Sequence, residues 1–151
     1  MTNRPVKLRT RGDNHGPITR LMSPSDLGQI LKPFVFLDLA QFPAGQPGGF
    51  RWHPHSGIAT TTLILKGEIS YAETTGTSGT LGAGGVEWMA SGGGVWHTAS
   101  PIGNESLLGF QLWVSLPPEQ EESPPASAYL NAKDIVSVGP ARVILGTYGA
   151  V

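Results

Sequence analysis

Glycine and proline interrupt this chain at intervals of about ten residues, which leaves no room for a helix longer than a turn or two and points to short strands joined by turns. Together they are nearly a quarter of the 151 residues, 21 glycines and 13 prolines, a share that in continuous tracts would mean low complexity. Here they separate apolar runs, so the chain reads as all-β, a sandwich or barrel, with no internal repeat. The length suits one domain with a real core, and residues 1–151 are expected to form a single unit.

Residues 17–22 (PITRLM) read as a first strand, and 23–32 (SPSDLGQILK) as one helical turn with Ser23 as cap and Pro24 at the first helical position. The apolar run 33–42 (PFVFLDLAQF) reads as a buried strand. GFRWHPH and ATTTLILKGEISYAE follow, joined by Ser56 and Gly57, and TTGTSGT looks like a hairpin turn. GGVEWMAS and GVWHTAS are short strands separated by glycines. SLLGFQLWVSL alternates, with Leu108, Phe110, Leu112 and Val114 on one face. Residues 117–128 are rich in proline and glutamate and are expected as a surface loop, after which DIVSVGPARVILGTY supplies two more strands.

Charged residues are 14% of the chain and the net charge is -1, too weak a field to draw it to nucleic acid or an anionic membrane. There is no cysteine, so disulfides and thiolate ligands are excluded and any metal must be held by imidazole or oxygen. The first sixteen residues carry basic side chains without an apolar core, unlike a signal peptide, and no window approaches the roughly 20 apolar residues of a membrane span. A cytoplasmic location is the expectation.

Three histidines carry the chemistry. His53 and His55 are i and i+2, so an extended WHPH puts both imidazoles on one side, with Pro54 fixing the backbone between them. His97 lies 42 positions after His55, at the end of another short strand. Three neutral imidazoles suit iron, zinc, copper or nickel and leave coordination positions open. Taken alone, the pair is also compatible with ordinary hydrogen-bonded histidines, and His97 with a satisfied core residue. His15, among turn formers, reads as a surface residue.

The segments PFVFLDLAQF, HPHSGIATTTLILKGEIS, GGVEWMASGGGVWHTASP and GFQLWVSLPPEQEESPPASAY, in that order between about Pro33 and Gly146, resemble the amino-terminal half of the pirin family. The resemblance implies a cupin fold, a double-stranded β-helix or jelly-roll barrel, here a single one. It implies one metal, iron(II) foremost with nickel, copper or zinc as alternatives, held by His53, His55 and His97 together with a glutamate two residues after the third histidine. That position is Ala99. A further glutamate common in the family falls on Ala59. A divalent ion on three neutral histidines keeps its full charge, so it is expected to bind more weakly and to polarise an anionic bidentate substrate more strongly.

The acids offer poor replacement ligands. Glu87 is expected to point outward, because Val86, Trp88 and Ala90 form the apolar face of its strand; Glu68 and Glu73 are placed too far along theirs; Asp38 is expected to hydrogen-bond to backbone. Trp52, Trp88, Trp96, Phe34, Phe36 and Phe110 either line a pocket for a flat aromatic ligand or pack the core. The glycines of SGGGV would let a substrate or another strand approach the backbone closely.

Two functions follow as expectations. One is a non-haem, quercetinase-like dioxygenase acting on a flavonol- or catechol-like enediol, without the usual carboxylate as base. The other is a non-catalytic cupin that binds a regulatory partner or small ligand around a degenerate or metal-free site. A pirin usually continues into a second barrel, so a single barrel is expected to cover its exposed surface by forming a homodimer.

Overall fold

The structure is a computed structural model and describes residues 5–149. Its strands are β1 (Asp13–His15), β2 (Ile18–Met22), β3 (Phe34–Phe42), β4 (Phe50–His55), β5 (Ile58–Lys66), β6 (Glu68–Glu73), β7 (Ser78–Gly82), β8 (Val86–Ala90), β9 (Val95–Ile102), β10 (Leu107–Ser115), β11 (Ala126–Leu130), β12 (Val136–Val138) and β13 (Ala141–Val143). Among the described residues there is no α-helix, only single 3₁₀ turns. None of them is long and apolar enough to cross a membrane.

Two antiparallel sheets face each other without closing into one continuous barrel. The larger has the order β1-β2-β3-β10-β5-β8-β11 and the smaller β4-β9-β6-β7, with β12-β13 as a separate ribbon. Gly67, with φ 79°, turns the chain from β5 in one sheet to β6 in the other, and a Cβ there would meet the Ser106 carbonyl oxygen at 2.8 Å. Gly92, with φ 50°, lies so close to the Ser123 carbonyl that no side chain fits. The glycine run before β9 therefore admits another segment of the chain.

The interior is layered along the strands. At one end Phe42, Ile64 and Leu107 of the larger sheet pack on Ile69 and Leu81 of the smaller, which forms the apolar core. The next layer is built from small residues and two aromatics: Ala40 pairs with Gly109, and Ala99 lies between Phe50 and Tyr71. Beyond it, the inner face turns polar.

Several local expectations change. The cap of the first 3₁₀ turn, Leu27–Gln29, is Asp26, whose carboxylate accepts from the Leu27 amide and from Ser23. Ser23 and Pro24 precede the helical turn and do not open it. His15 belongs to the short strand β1, exposed as expected. Residues 117–125 run as a surface segment, but Ala126–Leu130 pair with β8 as the last strand of the larger sheet. The apolar residues Leu112 and Val114 face outward with Trp88 into a groove that Val143, Leu145 and Tyr148 also line. The larger sheet is thus apolar on its outer side and carries polar groups within.

Ile64 is 1% exposed and Leu65, its neighbour, 46%. Ile64→Ala should lower unfolding free energy by about 2–5 kcal/mol, while Leu65→Ala should stay within about 0.5 kcal/mol; urea denaturation of both variants measures the difference.

Candidate metal centre

Antiparallel pairing of β4 with β9 sets His53 opposite His97 and His55 opposite Val95, with a register irregularity between Phe50 and His53. The three imidazoles converge between the sheets. Their candidate ligand atoms all lie within 4.8 Å of one another, and the His53 and His97 Nε2 atoms are 3.0 Å apart. Two nitrogen donors about 2.1 Å from one ion and at right angles to each other would be about 3.0 Å apart.

The surroundings fix the chemistry of these rings. His53 Nδ1 is 2.7 Å from the Arg51 carbonyl oxygen, to which it donates, leaving Nε2 with its lone pair free. His55 is 8% exposed and its buried Nε2 has no partner. The ring rests edge-on against Trp113 at 5.0 Å. Burial, helped by His53, lowers the His55 pKa to about 4. Burial, with His53 and His55 adding to it, lowers that of His97 to about 3. All of this favours bare, neutral imidazoles aimed at a common point, which is the donor set that a divalent transition metal needs.

Two carboxyl groups stand beside this cluster. Glu87 points inward and is 5% exposed. Its oxygens accept from Thr62 Oγ1 and, at 3.2 Å, from the Tyr129 hydroxyl, and Oε1 is 3.8 Å from His97 Nδ1. Burial raises its pKa against the opposing effect of the two hydroxyls. With His97 held neutral, this approach is a polar contact rather than an ion pair. Glu73 lies opposite His97 on β6; Oε1 accepts from Ser127 Oγ, and Oε2 is buried without a partner. Burial between these acids also raises the Tyr129 and Tyr71 phenols above their usual range, and the two rings stack across the sheets with centroids 3.7 Å apart. Neither carboxyl group joins the histidine ligand cluster.

Three expectations about the acids are thus corrected. Glu87 does not face solvent, because the apolar side of β8 is the outer one. Glu73 is next to His97 because β6 ends at that layer. Glu68, 5 residues earlier at the other end of β6, is exposed. Asp38 finds a guanidinium rather than backbone: Arg20 grips both its oxygens, with Nη2 at 3.1 Å from Oδ2, and lies over the Phe36 ring.

Ala99 lines the same cavity as His53 and His97. Ala59 does not; it registers with Ala90 and Val114 on the outer side. The cavity has a free volume of about 50 Å³, room for a few waters. Of the six aromatics considered for it, only Phe110 lines it. Trp52, Trp96 and Phe34 are about half exposed, Trp88 lines the outer groove and Phe36 stacks on Trp113 at 4.0 Å.

The sequence model of the family described as Pirin matches residues 17–114. A Pseudomonas aeruginosa protein named "Putative quercetin 2,3-dioxygenase" is 37% identical over 150 residues, covering 88% of this chain and 52% of the relative. A crystal structure of quercetin 2,3-dioxygenase from Acinetobacter baumannii superposes with a TM-score of 0.76 at 32% identity, over 89% of this chain and 52% of that one. The cupin domain of Cnp3 from Schizosaccharomyces pombe, 14% identical with a TM-score of 0.53 over 70% of each chain, shares the fold alone. The chain spans about half the length of the first two.

The histidine shifts set a pH dependence. In the unfolded chain these imidazoles protonate below about pH 6.5, whereas in the metal-free fold His55 and His97 stay neutral down to about 4 and about 3. Stability is therefore full above pH 6.5 and falls as the pH drops toward 3. Urea midpoints should decrease between about pH 7 and about pH 4.5, and His97→Gln should flatten that decrease.

Proposed function

Because the chain belongs to the pirin family, its residues 17–114 matching the family model, we propose that it binds one divalent metal ion through His53, His55 and His97, with iron(II) foremost and nickel, copper or zinc as alternatives. The observation that carries this reading is the convergence of three imidazoles, His55 and His97 kept neutral by burial and His55 with a buried Nε2 that no protein group satisfies. The ion would supply Lewis-acid polarisation of an anionic oxygen donor. The chain's own part is to hold the rings in place: Arg51 orients His53, and Trp113 supports His55.

The activity proposed for this site is that of a quercetinase-like dioxygenase on a flavonol- or catechol-like enediol. Ala99 offers no base, so the substrate would arrive already ionised. The names of the Pseudomonas and Acinetobacter relatives support this substrate class. A second reading, a non-catalytic metal-containing regulator, is favoured by the cavity: about 50 Å³ is far below the roughly 300 Å³ at which ligand pockets begin, and most of the aromatics expected to grip a flat ring point elsewhere. A cytoplasmic homodimer belongs to either reading, with the exposed Phe34, Leu145 and Tyr148 of the outer groove as part of its contact.

Protein purified without a histidine tag should take up one equivalent of iron(II) or nickel(II) with a rise in melting temperature, and His55→Ala and His97→Ala should abolish uptake. No uptake by the wild type would end the metal reading. Ala99→Glu should tighten binding. Oxygen consumption with a flavonol and catechol panel separates the two functions, and none with any of them would select the regulator.

A further inference from the structure

The larger sheet carries a single transverse row of polar side chains across its inner face. Asp38, Gln111, Thr62, Glu87 and Tyr129 are register partners on β3, β10, β5, β8 and β11 in turn. Hydrogen bonds run along this row in one direction. Trp113 Nε1, which can only donate, bonds to Gln111 Oε1 at 3.2 Å. The Gln111 amide then donates to Thr62 Oγ1 at 3.5 Å, and the Thr62 hydroxyl donates to Glu87 Oε2. Tyr129 donates to the other oxygen from the opposite side. Glu87 is the end of this chain, accepting on both oxygens.

Such an acceptor cannot face another lone pair without repulsion. On the smaller sheet His97 Nδ1 lies 3.8 Å from Oε1, with both side chains buried. With an ion held at Nε2, the ring's proton would sit on Nδ1, on the side of that oxygen. The lone pair is left on Nε2, the atom that faces His53. His53 has the same tautomer, set by Arg51. Without an ion, a proton on His97 Nε2 closes the 3.0 Å contact as an N–H···N hydrogen bond to His53, so binding an ion there would move that proton to Nδ1, beside Glu87.

We propose that Glu87 is the positioning residue of the metal centre: as acceptor for His97 Nδ1–H, it holds the tautomer and orientation that aim Nε2 at the ion and strengthens that nitrogen as a donor. This rests on the metal-binding reading above and adds to it a carboxyl group behind a ligand, in a chain whose expected carboxylate ligand is Ala99. Glu73, opposite His97 on β6, accepts from Ser127 with one oxygen and has the other unpartnered, and it is Glu87 that lies against His97 Nδ1.

The test is zinc(II) and nickel(II) titration of the full chain by calorimetry, with Glu87→Gln and Glu73→Gln compared to wild type, and long-range ¹⁵N NMR of the His97 ring. A glutamine at 87 presents an amide that can donate to Nδ1 and so permits the inverted tautomer. Glu87→Gln should weaken metal binding by roughly 10–100-fold and shift the Nδ1–H signal of the zinc-bound His97 ring, while Glu73→Gln leaves both near wild type. Wild-type binding undiminished in Glu87→Gln, or an equal loss in Glu73→Gln, overturns the proposal but leaves the metal site standing. Zinc bound through His97 Nδ1 in the wild type overturns it without any variant. Failure of the wild type to bind either ion removes both readings.

Discussion

The close approach of His53 and His97, whose Nε2 atoms lie 3.0 Å apart between the sheets, is the contact around which the polar layer is arranged. It arises from register. β4 and β9 set His53 and His97 opposite each other, and a slip of one residue would turn both rings out of the interior. The carbonyl of Arg51 then removes the choice of tautomer at His53. Burial removes most of the choice at His55 and His97, because a charged imidazole there would lose its hydration without gaining a fixed anionic partner. A site of this kind is costly to keep as a mere packing feature and suits a cation.

The layers on either side make that arrangement tolerable. Ile64, Ile69, Leu81, Leu107 and Phe42 supply the apolar burial at one end, so the polar layer need not contribute to the core. Within the polar layer nearly every group is matched: Asp38 by Arg20, Glu87 by Thr62 and Tyr129, Glu73 by Ser127 on one oxygen. The buried exceptions, His55 Nε2, Thr60 Oγ1 and Glu73 Oε2, are few, as expected of an interior whose polar groups are matched for the sake of a site. Between the two regions, Ala40, Gly109 and Ala99 are too small to fill their layer, and the cavity is the space they leave.

Much of this could be read in the residues before any coordinates. The spacing of glycine and proline gave the strands their limits, HPH gave the shared face of His53 and His55, and the segment order gave the cupin fold and His97. The acids were harder, for one reason. Val86, Trp88 and Ala90 alternate as an apolar face, and such a face ordinarily marks the core. Here Trp88 of that face lines the outer groove together with the carboxy-terminal residues Val143, Leu145 and Tyr148, and Glu87, on the other face of β8, lies within. Nothing in β8 alone distinguishes a sheet covered on its outer side from one covered on its inner side. The same ambiguity affects Ala59, which lies outward although its neighbour Thr60 is buried inward. At Asp38 the partner is an arginine eighteen residues away, and only the pairing of β2 with β3 brings it there.

A carboxylate bound to a metal does two things at once: it contributes negative charge and it occupies a coordination position. Alanine at 99 gives up both at the ion. Glu87 would recover part of the electronic effect from behind His97 without filling the position, since it lies on the Nδ1 side of the ring and outside the cluster of histidine ligand atoms. The space beside Ala99 would then stay open to a ligand from solution, next to an ion held by the three histidines. The geometry separates occupancy from charge, and the enclosed volume of about 50 Å³ limits what can enter that position without movement of the surrounding strands to a group the size of a few waters.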